Sequence, residues 1–195
     1  YQGRDDRDTN GALMRLAPVP LAHADDLVEA LRAADLSTRI THGGPDARSA
    51  SRYLAALIVG AVGGAGVDEL TAAGRLYTPP GFDAGEWGRT LSDDVRFVAA
   101  GRYGGVVRAG FSAVECLHAA LWAVRYATGF EAAVCRAASL GDDSDTAAAV
   151  AGQLAGAIWG YSAIPARWTK AVAWHDRLIE VADGLYELSG LGKAA

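Results

Sequence analysis

The sequence contains few cysteines, and their positions exclude two common kinds of site. Among 195 residues only Cys116 and Cys135 are cysteines, and they form no Cys-x-x-Cys pair and no zinc-ligand spacing. We therefore expect no disulfide framework, and we predict two reduced, buried thiols, as in a cytoplasmic protein. No signal peptide or membrane anchor is recognisable, which also favours the cytoplasm.

An excess of positive charge is absent too. The chain has 18 Lys and Arg against 23 Asp and Glu, so its net charge at pH 7 is −5. A mildly acidic chain has no electrostatic reason to bind nucleic acid as its main partner. The Gly-rich segment 63–66 follows no strand pattern and precedes no Lys-Ser/Thr pair, so it is weak evidence for a phosphate-binding loop.

Alternating strand patterns, tandem repeats and a linker between domains are missing as well. Helical periodicity is present instead, and 51% of the residues are hydrophobic, which is enough for a sizeable core. We predict an all-α fold, a compact orthogonal bundle of several helices, with residues 1–195 in one domain. The predicted helices include 24–36, 46–62, 67–73, 83–100, 112–124, 130–138 and 171–188.

The most informative stretch joins an acidic turn to a long run of small apolar residues. Asp142, Asp143 and Asp145 lie in the turn, and residues 147–164 after it are almost free of polar groups. Ser and Asp are good N-cap residues, so a capped helix with solvated acids is one interpretation. Three carboxylates within four residues exceed what capping needs. Since Mg²⁺ and Mn²⁺ prefer oxygen ligands, the turn is a candidate metal site.

The helix predicted after the turn has one face without side chains. Gly152, Gly156 and Gly160 recur every four residues, so another helix can approach closely. A transmembrane span is the competing interpretation. The polar Gln153, the weak hydropathy of Ala and Gly, and the acidic entry favour a central helix of a compact helical domain.

The turn and this helix resemble the signature of a known family. Gly-Asp-Asp-Ser-Asp-Thr-Ala-Ala-Ala-Val-Ala-Gly, at 141–152, resembles Gly-Gly-Asp-Thr-Asp-Thr-x-Ala-x-x-x-Gly of the ADP-ribosylglycohydrolases, the family of dinitrogenase-reductase-activating glycohydrolase. Asp142 stands in place of the second Gly, and Ser144 replaces a Thr but keeps the hydroxyl. The resemblance implies that Asp143, Asp145 and Thr146 are metal ligands.

Other segments resemble the same family. Asn-Gly-Ala-Leu-Met-Arg at 10–15 is similar to its Gly-Asn-Gly-x-x-Met-Arg loop around ADP-ribose, with Thr9 in place of the first Gly. Thr disfavours positive φ, so we expect this loop to be reshaped. Residues 1–9 before it carry dense mixed charge, which is typical of a solvated loop or frayed end. The resemblance implies substrate contacts from Asn10, Gly11, His42, Phe111, Gly141 and Ser144. Without the resemblance, a lone His is more often structural and a lone aromatic more often core.

The implied function is that of an ADP-ribosyl hydrolase. It would remove ADP-ribose from a modified acceptor such as a protein arginine, with Mg²⁺ or Mn²⁺, two ions in a complete site, and Asp143 and Asp145 as the catalytic carboxylates. No separate general base is identified. The family's Gly-Asp-Ala-x-Gly and Thr-Asp-Asp segments are absent from the sequence. We therefore interpret residues 1–195 as the C-terminal two-thirds of the domain, with further ligands on a missing N-terminal segment or a second chain.

Two other classes of function stay open. A catalytically degenerate member of the fold would be an ADP-ribose-binding, structural or immunity-type interaction protein, and the missing acids favour it. A nucleotide-sugar transferase would use Asp-x-Asp to hold a metal on a diphosphate. Such enzymes have strands before the motif, where this sequence predicts helix.

Overall fold

The computed structural model describes residues 6–101 and 105–191, which fold into helices joined by short loops. Within these residues there is no β-strand, and one isolated antiparallel bridge joins Thr9 to Ser112. The all-α prediction is confirmed. The α-helices are α1 (Pro18–Ala22), α2 (Leu27–Arg39), α3 (Pro45–Val62), α4 (Val67–Leu70), α5 (Ala84–Arg89), α6 (Asp93–Ala99), α7 (Ala113–Arg125), α8 (Phe130–Ala138), α9 (Ser144–Trp159), α10 (Ala166–Thr169) and α11 (His175–Leu188), with 3₁₀ helices at Asn10–Arg15 and Tyr161–Ala163.

The centre of the protein is formed by α3, α7 and α9, which pack against one another and against the first 3₁₀ helix. Small side chains allow this close packing, because many of the buried positions are Ala. The larger buried side chains between them include Tyr53, Leu54, Leu57, Leu117, Leu121 and Leu154. The start of α9 is thereby held on a rigid support.

Helix α8 lies against the glycine face of α9, as the spacing predicts. A Cβ added at Gly152 would lie 3.7 Å from Val134, and one at Gly156 would lie 3.8 Å from Phe130. Gly160 does not extend this face, because α9 ends at Trp159 and Gly160 has a φ of 79°. The helix is shorter than its apolar run, since a left-handed glycine stops it.

A polar residue of α9, Gln153, fixes the N-terminal segment on the helix. Its side-chain amide donates to the carbonyl of Leu13 at 2.9 Å and accepts from the backbone N–H of Ala17 at 2.8 Å. Leu13 lies in the first 3₁₀ helix, and Ala17 follows shortly after its end. The contact therefore places residues 10–15 beside α9 and brings Asn10 toward its first turn.

Several predicted helices have different bounds, and the one expected at 24–36 begins and ends three residues later, at Leu27–Arg39. The segment 83–100 is two helices, because Ser92 accepts from the N–H of Val95 and caps a new helix. The helix predicted at 67–73 ends at Leu70, and the last helix begins at His175 rather than at 171.

One prediction about the cysteines is wrong. Cys116 is buried, but Cys135 is exposed, because it lies on the side of α8 that faces away from the core. Both thiols are free.

No helix within 6–101 or 105–191 is both long enough and apolar enough to cross a membrane.

Candidate functional site at the start of α9

Three segments that are distant in sequence meet at the start of α9. The backbone N–H of Asn10 donates to the carbonyl of Phe111 at 3.0 Å, and the backbone N–H of Ala113 donates to the backbone carbonyl of Asp8 at 2.9 Å. The N–H of Asp143 donates to the carbonyl of Ala109 at 2.9 Å. These bonds hold the N-terminal loop, the segment before α7 and the acidic turn together. They fix the backbone at three predicted site residues, Asn10, Phe111 and Asp143.

The side chain of Asn10 joins two of these segments directly. Its amide donates to the carbonyl of Gly110 at 3.2 Å and to the carboxylate of Asp143. Asp143 also accepts from the hydroxyl of Thr146 at 3.2 Å. Asn10 and Thr146 are buried. The carboxylate is therefore oriented by hydrogen bonds on both of its oxygens.

The alternative interpretation, an ordinary capped helix with solvated acids, does not describe Asp143. This residue occupies the N-cap position of α9, but its side chain accepts no capping hydrogen bond from the helix backbone. Its oxygens instead accept from Asn10 and Thr146. The local sequence favours capping, but a partner from the other end of the chain competes for the carboxylate.

The turn before α9 requires two residues with positive φ. Gly141 has a φ of 78° and Asp142 a φ of 51°. The left-handed conformation costs an ordinary residue about 1–2 kcal/mol, and Asp tolerates it better than most. Asp142 is therefore acceptable in place of the second Gly, and its side chain is exposed to solvent.

Asp145, Thr146 and Ser144 lie in the first turn of α9. Asp145 is exposed, Ser144 is half-buried, and Thr146 is buried against Asp143. The carboxylates of Asp143 and Asp145 with the hydroxyl of Thr146 form an oxygen donor set of the type that Mg²⁺ and Mn²⁺ prefer. In the part of the chain that the structure describes, no three or more His, Cys, Asp or Glu residues group closely enough to hold a metal ion. The donor types therefore fit the predicted metal, but a metal held by these three side chains stays a prediction.

His42 lies beneath the N-terminal loop. Its Nδ1 is 2.7 Å from Thr41 Oγ1, and its Nε2 is 2.9 Å from Thr9 Oγ1. Burial lowers the pKa of His42, and the nearby Arg7 and Arg15 lower that pKa further against the opposing effect of Asp8, so the neutral ring is favoured at pH 7. A Cβ on Gly11 would lie 3.1 Å from the ring, so a glycine lets the loop approach the imidazole. Both ring nitrogens already have partners within the protein.

Thr9 does not distort the loop that follows it. Its φ is −82° and its ψ is 164°, an extended conformation that a β-branched residue adopts without strain. Its backbone pairs with Ser112 in the isolated bridge. The reshaping expected from replacing a Gly by Thr is therefore absent at this residue, because its φ is negative.

The sequence does not predict the role of Asp8, because residues 1–9 are interpreted there as a solvated loop or frayed end. Residues 1–5 of that segment lie outside the part of the chain that the structure describes. The carboxylate of Asp8 accepts from the N–H of Ala47 at 2.9 Å, in the first turn of α3. The N-cap residue of α3 is Gly44, which has no side chain, and a Cβ there would lie 2.1 Å from Asp8 Oδ1. Asp8 thus caps α3 from a distance of 39 residues, a pairing that no local signal reveals.

Cys116 lies behind the site. It is fully buried, and burial together with the charge of Asp143 raises the pKa of its thiol to about 12. Hydrogen bonding with the Asn10 side chain opposes this shift. The thiol of Cys116 is therefore protonated and packs behind Asn10 and Asp143, and it does not act as a nucleophile.

The other predicted residues lie around this junction. Phe111 is 69% exposed, so it belongs to the surface of the site and not to the core. Ser112 begins α7 as the capping pattern predicts, accepting from the N–H of Glu115 at 3.1 Å and donating to its carboxylate. Direct contacts join Asn10 to Asp143, while His42 reaches the same loop through Thr9.

Comparison with known proteins identifies the family of this chain. A sequence profile described as ADP-ribosylglycohydrolase matches residues 2–194. The chain belongs to the ADP-ribosylglycohydrolase family. A solved structure titled "ADP-ribosylglycohydrolase-related protein complex" superimposes on this family member with a TM-score of 0.84 and 34% sequence identity, covering 96% of this chain and 62% of that one. The fold is therefore the ADP-ribosylglycohydrolase fold.

Two relatives of this family member carry a specific name. It is 34% identical over 192 residues to "ADP-ribosylarginine hydrolase Tri1" of Pseudomonas putida (strain GB-1), covering 96% of this chain and 48% of that protein. It is 27% identical over 183 residues to the protein of the same name from Serratia proteamaculans (strain 568), covering 92% and 47% respectively. The chain thus spans about half the length of these curated relatives.

Proposed function

We propose that this ADP-ribosylglycohydrolase family member takes part in the hydrolysis of the bond between ADP-ribose and an arginine side chain. The observation that carries the proposal is the state of the Asp143 carboxylate, which Asn10 and Thr146 orient although it occupies a helix cap. The matching names of the two arginine hydrolase relatives support the choice of acceptor.

The residues of this chain have separable roles in the proposal. Asp143, Asp145 and Thr146 would hold Mg²⁺ or Mn²⁺, which would supply orientation of the ribose hydroxyls and a water and stabilisation of developing charge. Asn10 holds the Asp143 carboxylate in place through its amide. The loop at Asn10 and Gly11, with the exposed ring of Phe111, forms one wall for ADP-ribose. We expect Gly141, His42 and Ser144 to shape the same cleft.

We propose that a complete two-ion centre takes its other ligands from outside residues 6–101 and 105–191. The two carboxylates at the start of α9 are too few for two ions, and the described residues offer no larger acidic group. The other ligands then come from the remaining residues, from an additional segment of the polypeptide or from a second chain.

The test is a calorimetric titration with ADP-ribose in the presence of Mg²⁺ and then of excess EDTA. We expect binding that depends on Mg²⁺ and that Asp145→Ala abolishes. Asp183→Ala removes an exposed acid on α11 and should bind like the unchanged protein. Hydrolysis of ADP-ribosylated arginine is measured next, with Asn10→Ala expected to lower the rate. ADP-ribose binding that persists unchanged in EDTA and in Asp145→Ala would contradict the metal-binding role.

A second candidate is a non-catalytic binder of ADP-ribose. The small number of acids grouped in the described residues favours it. Its signature is Mg²⁺-dependent binding of ADP-ribose without release of arginine from the modified substrate.

A further inference from the structure

A chain of hydrogen bonds runs from a permanent cation to an exposed hydroxyl at the edge of the site. Arg15 Nη2 donates to Thr41 Oγ1 at 2.6 Å. Thr41 Oγ1 lies 2.7 Å from His42 Nδ1, and His42 Nε2 lies 2.9 Å from Thr9 Oγ1. Thr9 is the only exposed threonine in this chain of groups.

The guanidinium of Arg15 determines which atom donates in each of these hydrogen bonds. A guanidinium has donors and no acceptor, so Thr41 Oγ1 must accept from Arg15. The hydroxyl hydrogen of Thr41 is then best directed at His42 Nδ1, which accepts it with its lone pair. A neutral imidazole has one N–H, and that hydrogen is then on Nε2 and donates to Thr9 Oγ1.

We propose that this relay makes Thr9 a specificity-determining donor, whose hydroxyl hydrogen is turned away from His42 toward a phosphate oxygen of the ligand. The proposal rests on the proposed function, since it takes an ADP-ribosyl group as that ligand. His42 is a positioning residue here, because its ring nitrogens bind protein hydroxyls and it acts through Thr9. The family's usual Gly at this position has no side-chain donor, so this contact is particular to a chain with Thr or Ser.

The surroundings of Thr9 suit an anionic ligand group. Arg7 and Arg15 are close enough to His42 to lower its pKa, so the field at this edge of the loop is positive. The nearby acid Asp8 acts in the opposite sense, but its carboxylate accepts from the N–H of Ala47. The neutral state of His42 keeps the relay in one protonation state at pH 7.

The first measurement needs no ligand. Nitrogen-15 NMR of the histidine rings distinguishes a protonated Nε2 from a protonated Nδ1, and His42→Gln assigns the signal. We expect the Nε2–H tautomer of His42. The Nδ1–H tautomer would reverse the relay and overturn the proposal, whatever the protein binds.

The second measurement is the affinity for ADP-ribose and for inorganic pyrophosphate. Thr9→Val keeps the side-chain shape and removes the hydroxyl, and we expect binding of both probes to weaken roughly tenfold to hundredfold. Thr9→Ser should bind within about threefold of the unchanged protein. Thr128→Val, at an exposed threonine on the loop before α8, should have no effect. Thermal unfolding of each variant checks that the fold is intact.

The outcomes separate this proposal from the proposed function. Equal binding of either probe by the unchanged protein and Thr9→Val would remove the donor role while leaving the ADP-ribosyl function intact. Failure of the unchanged protein to bind either probe, with and without Mg²⁺, would overturn the proposed function and the donor role together.

Discussion

The contact between Asn10 and Asp143 is the one on which the site most depends, and its energy can be predicted. Asn10→Ala removes a hydrogen bond to a carboxylate and one to the carbonyl of Gly110. A bond to a charged group contributes about 1.5–3 kcal/mol and one between neutral groups about 0.5–1.5 kcal/mol. Because Asn10 is buried, we expect Asn10→Ala to lower the free energy of unfolding by about 2–4 kcal/mol.

A double-mutant cycle isolates the pair. Asp143→Ala also removes the Asn10 contact, but the backbone N–H of Asp143 keeps its bond to Ala109. Each single change removes the Asn10–Asp143 bond, while Asn10 keeps its bond to Gly110 and Asp143 keeps its bond from Thr146. Because both single changes lose the same bond, the double change should cost about 1–3 kcal/mol less than the sum of the two. The assay is urea unfolding followed by far-ultraviolet circular dichroism, with equal slopes required for all variants.

Gln153→Ala is the matched control for this cycle. Gln153 is also an amide that joins α9 to the N-terminal segment, but both of its partners are backbone groups. Gln153 lies ten residues along α9 from Asp143, about 15 Å of helix, so the two changes should be additive. Additivity of Asn10→Ala with Asp143→Ala, within about 0.5 kcal/mol, would refute the contact as the organiser of the site.

Three further predictions concern the support of the site. Gly44→Ala should lower stability by about 1–2 kcal/mol, because its Cβ would displace the Asp8 cap, and by much less in an Asp8→Ala background; equal losses in thermal unfolding would contradict this. Gly152→Ala should raise stability by roughly 0.5–1 kcal/mol in the same assay, since the nearest side chain is 3.7 Å from the new Cβ and Ala favours helix; a loss would mean that α8 lies closer. Iodoacetamide should modify Cys135 in the folded protein and Cys116 only after unfolding, as read by peptide mass spectrometry, and early modification of Cys116 would disprove its burial.

Local signals in the sequence predict much of the helical framework. The bounds of α8 match the predicted 130–138, and Ser112 and Glu115 mark the start of α7, because capping depends on residues three apart. The prediction fails at 83–100, where a single periodic pattern hides the stop before Ser92. Hydrophobic periodicity alone does not reveal that a second N-cap, and therefore a second helix, lies within an amphipathic segment.

The site itself is only partly readable from the sequence. The acidic turn and the Asn-Gly loop are visible as motifs, and the structure brings them together through Asn10 and Asp143. The geometry depends on partners that local rules do not contain. Asp143 follows the N-cap rule in position but not in bonding, and Asp8 caps a helix that begins far along the chain. The metal ligands and the ADP-ribose contacts stay predictions.

The link from Asn10 to Asp143 spans 133 residues, and the two hydrogen bonds of Gln153 span 136 and 140. Closing a loop of this length costs conformational entropy before the contact can stabilise the fold. During synthesis, these contacts with α9 can therefore form only after α9 has left the ribosome, whereas the partners of Asp8 and Thr9 in residues 42–47 emerge much earlier. The opposite also follows for the finished protein: a brief local opening of residues 8–16 dismantles the site while the central helices stay folded, so amide hydrogen exchange should be faster there than in α3 or α7.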